Sequence, residues 1–249
     1  MFPIRDHNPS ERVPFVTYAL LAVNTVVFLY MWPLYETAAA SQVFIDYGMI
    51  PQRLSLGLGL ETLITSMFLH AGFMHFAGNM LFLWIFGDNL EDMLGHVRFL
   101  LFYLATGIAA ALLQFATDPG STVPMIGASG AIAGVMGGYL LLFPKAKVDV
   151  LFIIVIIFRI IPIPAWAALL VWFGLQLFNG LASFGAEGGG VAHWAHAGGF
   201  IAGFALITPV WLRLGAQRFW SRTQGHPDHP EATYKLSRSS IPRAGRRKR

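Results

Sequence analysis

Residues 125–143, MIGASGAIAGVMGGYLLLF, contain no charged side chain, and Gly130, Gly134 and Gly138 recur in them every four residues. That period returns the glycines to one helix face, where the missing side chains let another helix approach closely. The run is long enough for the ~20 apolar residues that cross a bilayer core, so it predicts a membrane helix packed against a partner. Working outward, charges enclose further runs of the same kind: Arg12 to Glu36, Glu61 to Asp88, Arg98 to Asp118, Arg159 to Glu187 and Glu187 to Arg213. All are rich in Leu, Ala, Gly and Phe and lack the alternation of a barrel strand, which leaves the helix as the spanning structure that satisfies its own backbone.

Composition agrees. Of 249 residues 55% are hydrophobic and 12% charged, and the mean hydropathy is +0.58, far outside the usual range of a soluble domain. The expected fold class is all-α: a polytopic bundle of six transmembrane helices with spans at about 14–32, 71–87, 99–116, 125–143, 164–182 and 191–211. Residues 1–13 read as a cytoplasmic N-terminal segment, 14–212 as the membrane domain, and 213–249 as a basic, disordered cytoplasmic tail ending in RAGRRKR. In that topology every Lys and Arg except Arg53 falls on one side, the positive-inside pattern, which puts both termini in the cytoplasm. A signal peptide cleaved near Ala38 to Ala40 is the competing reading of the first run, which is longer than a typical signal core.

The 17 Lys and Arg against 13 Asp and Glu are spent on loops and tail, so the basic balance points to anionic lipid and not to nucleic acid. The absence of cysteine excludes disulfides, thiolate metal sites and a cysteine nucleophile. Val150 to Phe158, β-branched and closed by Arg159, Pro162 and Pro164, is too short to cross and is expected in the interface. The first outer loop, from residue 34 to about 62, contains the partly apolar LSLGLGL and is expected there too.

Polar groups inside apolar spans cost free energy and are functional candidates. His75, Asn79, Ser129 and His196 stand out, with His75, Ser129 and His196 all early in helices that run from outside to inside, and so at one depth. His75 and Asn79, at i and i+4, share a helix face, a spacing that also suits plain hydrogen bonding between helices. Ser129, in the GASG of residues 127–130, opens its helix, where free N–H groups and the helix dipole favour a developing negative charge. Gly199 and Gly203 continue the His196 face, so a neighbour can approach that histidine closely; if the neighbour is the Gly130 helix, Ser129 meets a base. A four-imidazole metal site from His70, His75, His193 and His196 is the weaker reading, since no HExxH motif or intramembrane carboxylate accompanies it. A cation or proton carrier also usually holds such a carboxylate. Neither a metal nor another cofactor is expected.

Together HAGFMHFAGN (residues 70–79), GASG (127–130) and AHAGGFIAG (195–203), in this order, resemble the rhomboid family of intramembrane serine proteases over roughly Tyr47 to Leu206. FGDNLEDMLGHVRFLLFYL (86–104) is similar to the bacterial members, which implies a bacterial inner membrane. The resemblance implies a Ser129/His196 dyad without an acid, and an oxyanion held by His75, Asn79 and the Ser129 N–H. Gly127, Gly130, Gly199 and Gly203 support it. His193 would carry no dyad role, and His70 would anchor a loop. The substrates implied are transmembrane proteins, unwound near their outer end and admitted sideways past the fifth helix and the loop GLASFGAEGGG (180–190). The chain departs from many members in having no Trp-Arg pair in the first outer loop. The alternative within the resemblance is a silent relative that binds membrane helices; such relatives usually lack one member of the dyad, and here both are present.

Overall fold

The computed structural model describes residues 2–154, 157–183 and 191–234. Its helices are α1 (Phe15–Met31), α2 (Ala38–Tyr47), α3 (Pro51–Ser55), α4 (Thr62–Thr65), α5 (Phe73–Leu94), α6 (His96–Thr117), α7 (Ser129–Leu142), α8 (Ala165–Ala182), α9 (His193–Arg213) and α10 (Gln217–Thr223). Strands β1 (Phe2–Asp6), β2 (Lys147–Ile154) and β3 (Ile157–Pro164) form one antiparallel sheet in the order β1-β2-β3.

Small residues put α7 in the middle. Every α7 residue from Gly130 to Leu142 is buried, between α9 on one side and α5 and α6 on the other. A Cβ on Gly199 would overlap the Gly130 carbonyl oxygen, and one on Gly203 would overlap that of Gly134, so α9 lies backbone to backbone on α7. On the α6 side, a Cβ on Gly134 would run into the Thr106 side chain, and one on Gly130 would come within 2.6 Å of the Ala110 Cβ. Close approach of this kind replaces the hydrophobic driving force that lipid does not supply between helices.

α1, with a short 3-10 extension, α6, α8 and α9 are long and apolar enough to cross a membrane. Thr62–Phe68 and Phe73–Leu94, bent by 97° at their junction, form a further candidate span. The protein is thus an integral membrane protein. α7 has 14 residues, about 21 Å at 1.5 Å per residue, shorter than the apolar run 125–143. The difference arises at its start, where residue Met125 pairs with Met49 in a β-bridge and Gly127 takes φ +125°, a backbone that belongs to glycine. α5 runs past the expected 71–87 to Leu94, because Glu91, although buried, is fully engaged. Its carboxylate accepts from the Val16 and Thr17 N–H groups (2.8 and 2.7 Å), the Thr17 hydroxyl (2.8 Å) and His96 Nδ1 (2.5 Å), so an anion caps the positive end of α1.

Of residues 150–158, expected in the interface, the described residues 150–154 and 157–158 belong to β2 and β3, and Pro162 and Pro164 are tolerated on the edge strand. One expectation needs correction. The tail is not disordered from 213 onward. Helix α10 buries Phe219, Trp220 Nε1 donates to the Leu141 carbonyl (3.0 Å), and Lys147 pairs with Glu231 (2.7 Å). His226 also meets Glu231 (2.7 Å), and Arg5 stacks on Tyr234 at 3.9 Å. Aromatic residues in a basic, polar stretch made this docking. Residues 235–249, with the basic ending, lie outside the described residues.

The sheet joins this end of the bundle. Asp149 takes Arg5 Nε at 2.6 Å and His7 Nε2 at 2.9 Å. Burial pushes its carboxyl up, but the hydrogen bonds from His7 and Arg5 outweigh it and hold the group below the usual carboxylate range. Asp6 goes the other way: burial first, and then the Asp88 charge, push its carboxyl well up, although it accepts from the Tyr139 hydroxyl (2.8 Å).

At the opposite end the first outer loop is folded by bonds that need no Trp-Arg pair. Arg53 Nη1 donates to the Ile45 carbonyl (2.6 Å), Thr65 Oγ1 to that of Tyr47 (2.7 Å) and Tyr35 Oη to that of His70 (2.7 Å). Leu56, Leu58 and Leu60 are exposed on it.

Candidate functional site

Ser129 is the first residue of α7, His196 lies in the first turn of α9 and His75 in the first turn of α5. The α7–α9 glycine contact fixes the first two relative to each other: His196 Nε2 and Ser129 Oγ are 2.7 Å apart, a full hydrogen bond. Among the described residues no side chain caps the start of α7, so the N–H groups of its first turn remain available beside the Ser129 hydroxyl.

Gly127 determines where His75 sits. With φ +125°, a Cβ on it would lie 2.7 Å from both Cε1 and Nε2 of His75 and 3.5 Å from Ser129 Oγ; the imidazole therefore fills the space a side chain would take, next to the serine. Nδ1 of His75 receives the Ala71 N–H at 3.4 Å, which leaves the proton on Nε2, the nitrogen on the Gly127 side. Asn79, one turn further along α5, is buried, and its Nδ2 has no hydrogen-bond partner among the described residues. A buried amide donor without an acceptor is costly, and this one shares its helix face with His75. His70, by contrast, is packed under the loop with its ring against His75 and Phe76 at 5.2 and 5.6 Å between centroids.

Two residues passed over in the sequence complete the surroundings. Gln114 on α6 accepts the Ala195 N–H (3.2 Å) and so holds the start of α9. Gln176 on α8 accepts from Nδ1 of both His193 and His196, each at 2.9 Å. The signal for both was a neutral polar side chain inside an apolar run, the same signal that singled out Asn79. Trp172, one turn from Gln176, lays its ring 5.7 Å from that of His196. A small cavity beside Ser129 is lined by Ser66, Met67, Gly107, Ala110, Met125 and Gly130. Among the described residues no three or more His, Asp or Glu side chains converge as a metal site would require. Of the loop GLASFGAEGGG, residues 184–190 lie outside the described residues.

The geometry sets a serine hydroxyl 2.7 Å from an imidazole nitrogen at the start of a helix, within a bundle of apolar helices. The family model of the rhomboid domain matches residues 59–213, the stretch that contains every residue of this arrangement. The chain is 31% identical over 195 residues to rhomboid protein 1, mitochondrial, of Saccharomyces cerevisiae, covering 76% of this chain and 51% of that one. It is 38% identical over 128 residues to the putative rhomboid protease YdcA of Bacillus subtilis, covering 51% and 61%. Against the rhomboid protease GluP of the same organism it is 34% identical over 127 residues, covering 51% and 24%. The chain therefore spans less than two thirds of the length of each of these relatives. Given a family match over more than half of the sequence and relatives at this level of identity, the chain belongs to the rhomboid family.

Proposed function

We propose that the chain is an intramembrane serine endopeptidase that cuts transmembrane proteins near the outer face, with Ser129 as nucleophile and His196 as general base. The observation that carries the reading is the 2.7 Å contact between His196 Nε2 and Ser129 Oγ. As Oγ attacks the scissile carbonyl carbon, its proton passes to Nε2. The carbonyl oxygen becomes an oxyanion that receives hydrogen bonds from the Ser129 N–H, His75 Nε2–H and Asn79 Nδ2–H, a role supported by the shared helix face of His75 and Asn79. Collapse of the intermediate breaks the peptide bond, and the imidazolium returns the proton to the leaving amine. Water then repeats the sequence on the acyl-enzyme and releases the acid.

The bundle suits this chemistry. α7 is enclosed and short, so the hydroxyl at its start lies below the membrane surface yet faces the loops, from which water arrives. α8 buries only Ala165, Leu169 and Gly180 and is the helix most easily displaced to admit a substrate segment. The cavity of Ser66, Gly107, Ala110 and Gly130 favours a small side chain next to the cut. The basic residues Lys145, Lys147, Arg218 and Arg222 lie at the end of the bundle where α7 finishes, which supports an orientation with both termini in the cytoplasm of a bacterial cell.

The test is cleavage of a single-span substrate in liposomes by the native chain, Ser129→Ala and His196→Ala. The native chain is expected to cut, and both variants to remain folded and inert. A native chain that binds several substrates and cuts none would leave helix binding as the function.

A further inference from the structure

We infer that Gln176 is a positioning residue of the site: its side-chain oxygen holds the proton of His196 on Nδ1 and so keeps Nε2 free to receive the Ser129 proton. The inference rests on the dyad reading above. The bonds make it specific. A histidine can act as base toward Ser129 through Nε2 only in the tautomer that carries its hydrogen on Nδ1, and which tautomer is present is decided by the partner of the other nitrogen. That partner is Gln176 Oε1, 2.9 Å from His196 Nδ1. The amide could in principle present its NH2 group instead, which would drive the histidine to the opposite, inactive tautomer. Its Nε2 lies toward the Trp172 carbonyl, 3.5 Å away, an acceptor only, so the oxygen is the atom left facing the imidazoles.

The same oxygen receives His193 Nδ1 at 2.9 Å. A carbonyl oxygen has two lone pairs, and the two histidine rings stand nearly perpendicular, 87° apart, so both bonds fit. Trp172 and Gln176 are four residues apart on α8 and present a ring and an acceptor to His196 from one face. An acid in this place would put a buried charge in the bundle; a neutral acceptor fixes the same tautomer without that cost. Because the acceptor belongs to α8 and the base to α9, the base is aligned only while α8 is seated on α9.

The experiment uses the full chain in detergent and measures kcat and KM on a single-span substrate, together with the rate at which a small fluorophosphonate labels Ser129, a reaction that needs no helix to enter. Rates are normalised to the folded fraction from thermal unfolding. Gln176→Leu is expected to lower kcat and the labelling rate together, on the order of ten- to a hundredfold, a part of what a general base supplies, with KM little changed. Gln176→Glu, which puts an oxygen back, is expected to exceed Gln176→Leu by about tenfold in both. Equal rates for the two variants, native rates in Gln176→Leu, or a change in KM alone would each overturn the role of Gln176. A native chain that neither cuts nor labels would overturn the dyad reading itself.

Discussion

Replacing Gly199 by alanine tests the link between helix packing and catalysis. A Cβ at this position would overlap the Gly130 carbonyl oxygen, and would stand 2.9 Å from the Gly130 carbonyl carbon and 3.4 Å from the Ala133 Cβ. Carbon–carbon contacts settle at about 3.5–4.0 Å and the overlapping oxygen is nearer still, so the backbones must part by ~1 Å or more. No rotamer change relieves the clash, because the obstruction is main chain. Overpacking of this kind costs about 1–3 kcal/mol. The same displacement acts at the site: Gly199 lies one turn from His196, and Gly130 follows Ser129. If the 2.7 Å bond lengthens by that amount it reaches ~3.7 Å or more, past the limit of a useful hydrogen bond. The cleavage rate is then expected to fall on the order of 10²-fold or more, measured as initial rate on a single-span substrate beside the unfolding midpoint. Gly174→Ala is the control, since a Cβ there meets nothing within 4 Å among the described residues. A Gly199→Ala chain that cuts at the native rate would refute the claim that the α7–α9 contact sets the dyad distance.

Asn79→Ala is expected to lower kcat on the order of 10²- to 10³-fold with KM little changed. It should leave the unfolding midpoint near native, because Asn79 Nδ2 has no bond to lose among the described residues; an unaltered kcat would remove it from the oxyanion site. At the other end of the bundle, the Asp6 carboxyl is raised by burial and by Asp88. A folded-state value above the unfolded 3.8 makes its contribution complete below that pH and lost as pH rises through the raised value. Asp6→Asn should therefore gain stability relative to the native chain as unfolding is followed from about pH 5 to about pH 8. A constant difference across that range would contradict the assignment.

What was legible in the sequence follows from which physics acts within one helix. The charge-free runs, the glycine period at Gly130, Gly134 and Gly138, and the polar Ser129, His196, His75 and Asn79 inside those runs are all properties of single segments, and each could be read before any packing was known. Where helices begin was harder. α7 starts at Ser129 and not at 125 because the preceding residues pair with Met49 across more than seventy positions of chain, and no local pattern carries that. The sheet escaped for a similar reason: β1 comes from a short N-terminal segment whose partner, β2, lies beyond α7. In the tail, Phe219 and Trp220 were outweighed by the basic and Pro-containing sequence around them.

Gln176 escaped for a different reason, and the reason bears on how the site is built. Ser129 and His196 lie on the two helices joined by glycine contacts, whose spacing is fixed because backbone meets backbone. Among the described residues α8 makes no such contact: a Cβ on Gly174 meets nothing within 4 Å, and the nearest neighbour for one on Gly180 is the Trp194 side chain at 3.2 Å. Its side of the site is thus attached through side chains, Trp172 and Gln176, which can separate and return without disturbing α7. In the proposed mechanism, distance between nucleophile and base is assigned to the rigid pair of helices, while orientation of the base is assigned to the loosely packed one. A sequence reading that looks for catalytic groups finds the first pair by their chemistry; the second is found only when the imidazole's other nitrogen is asked for its partner.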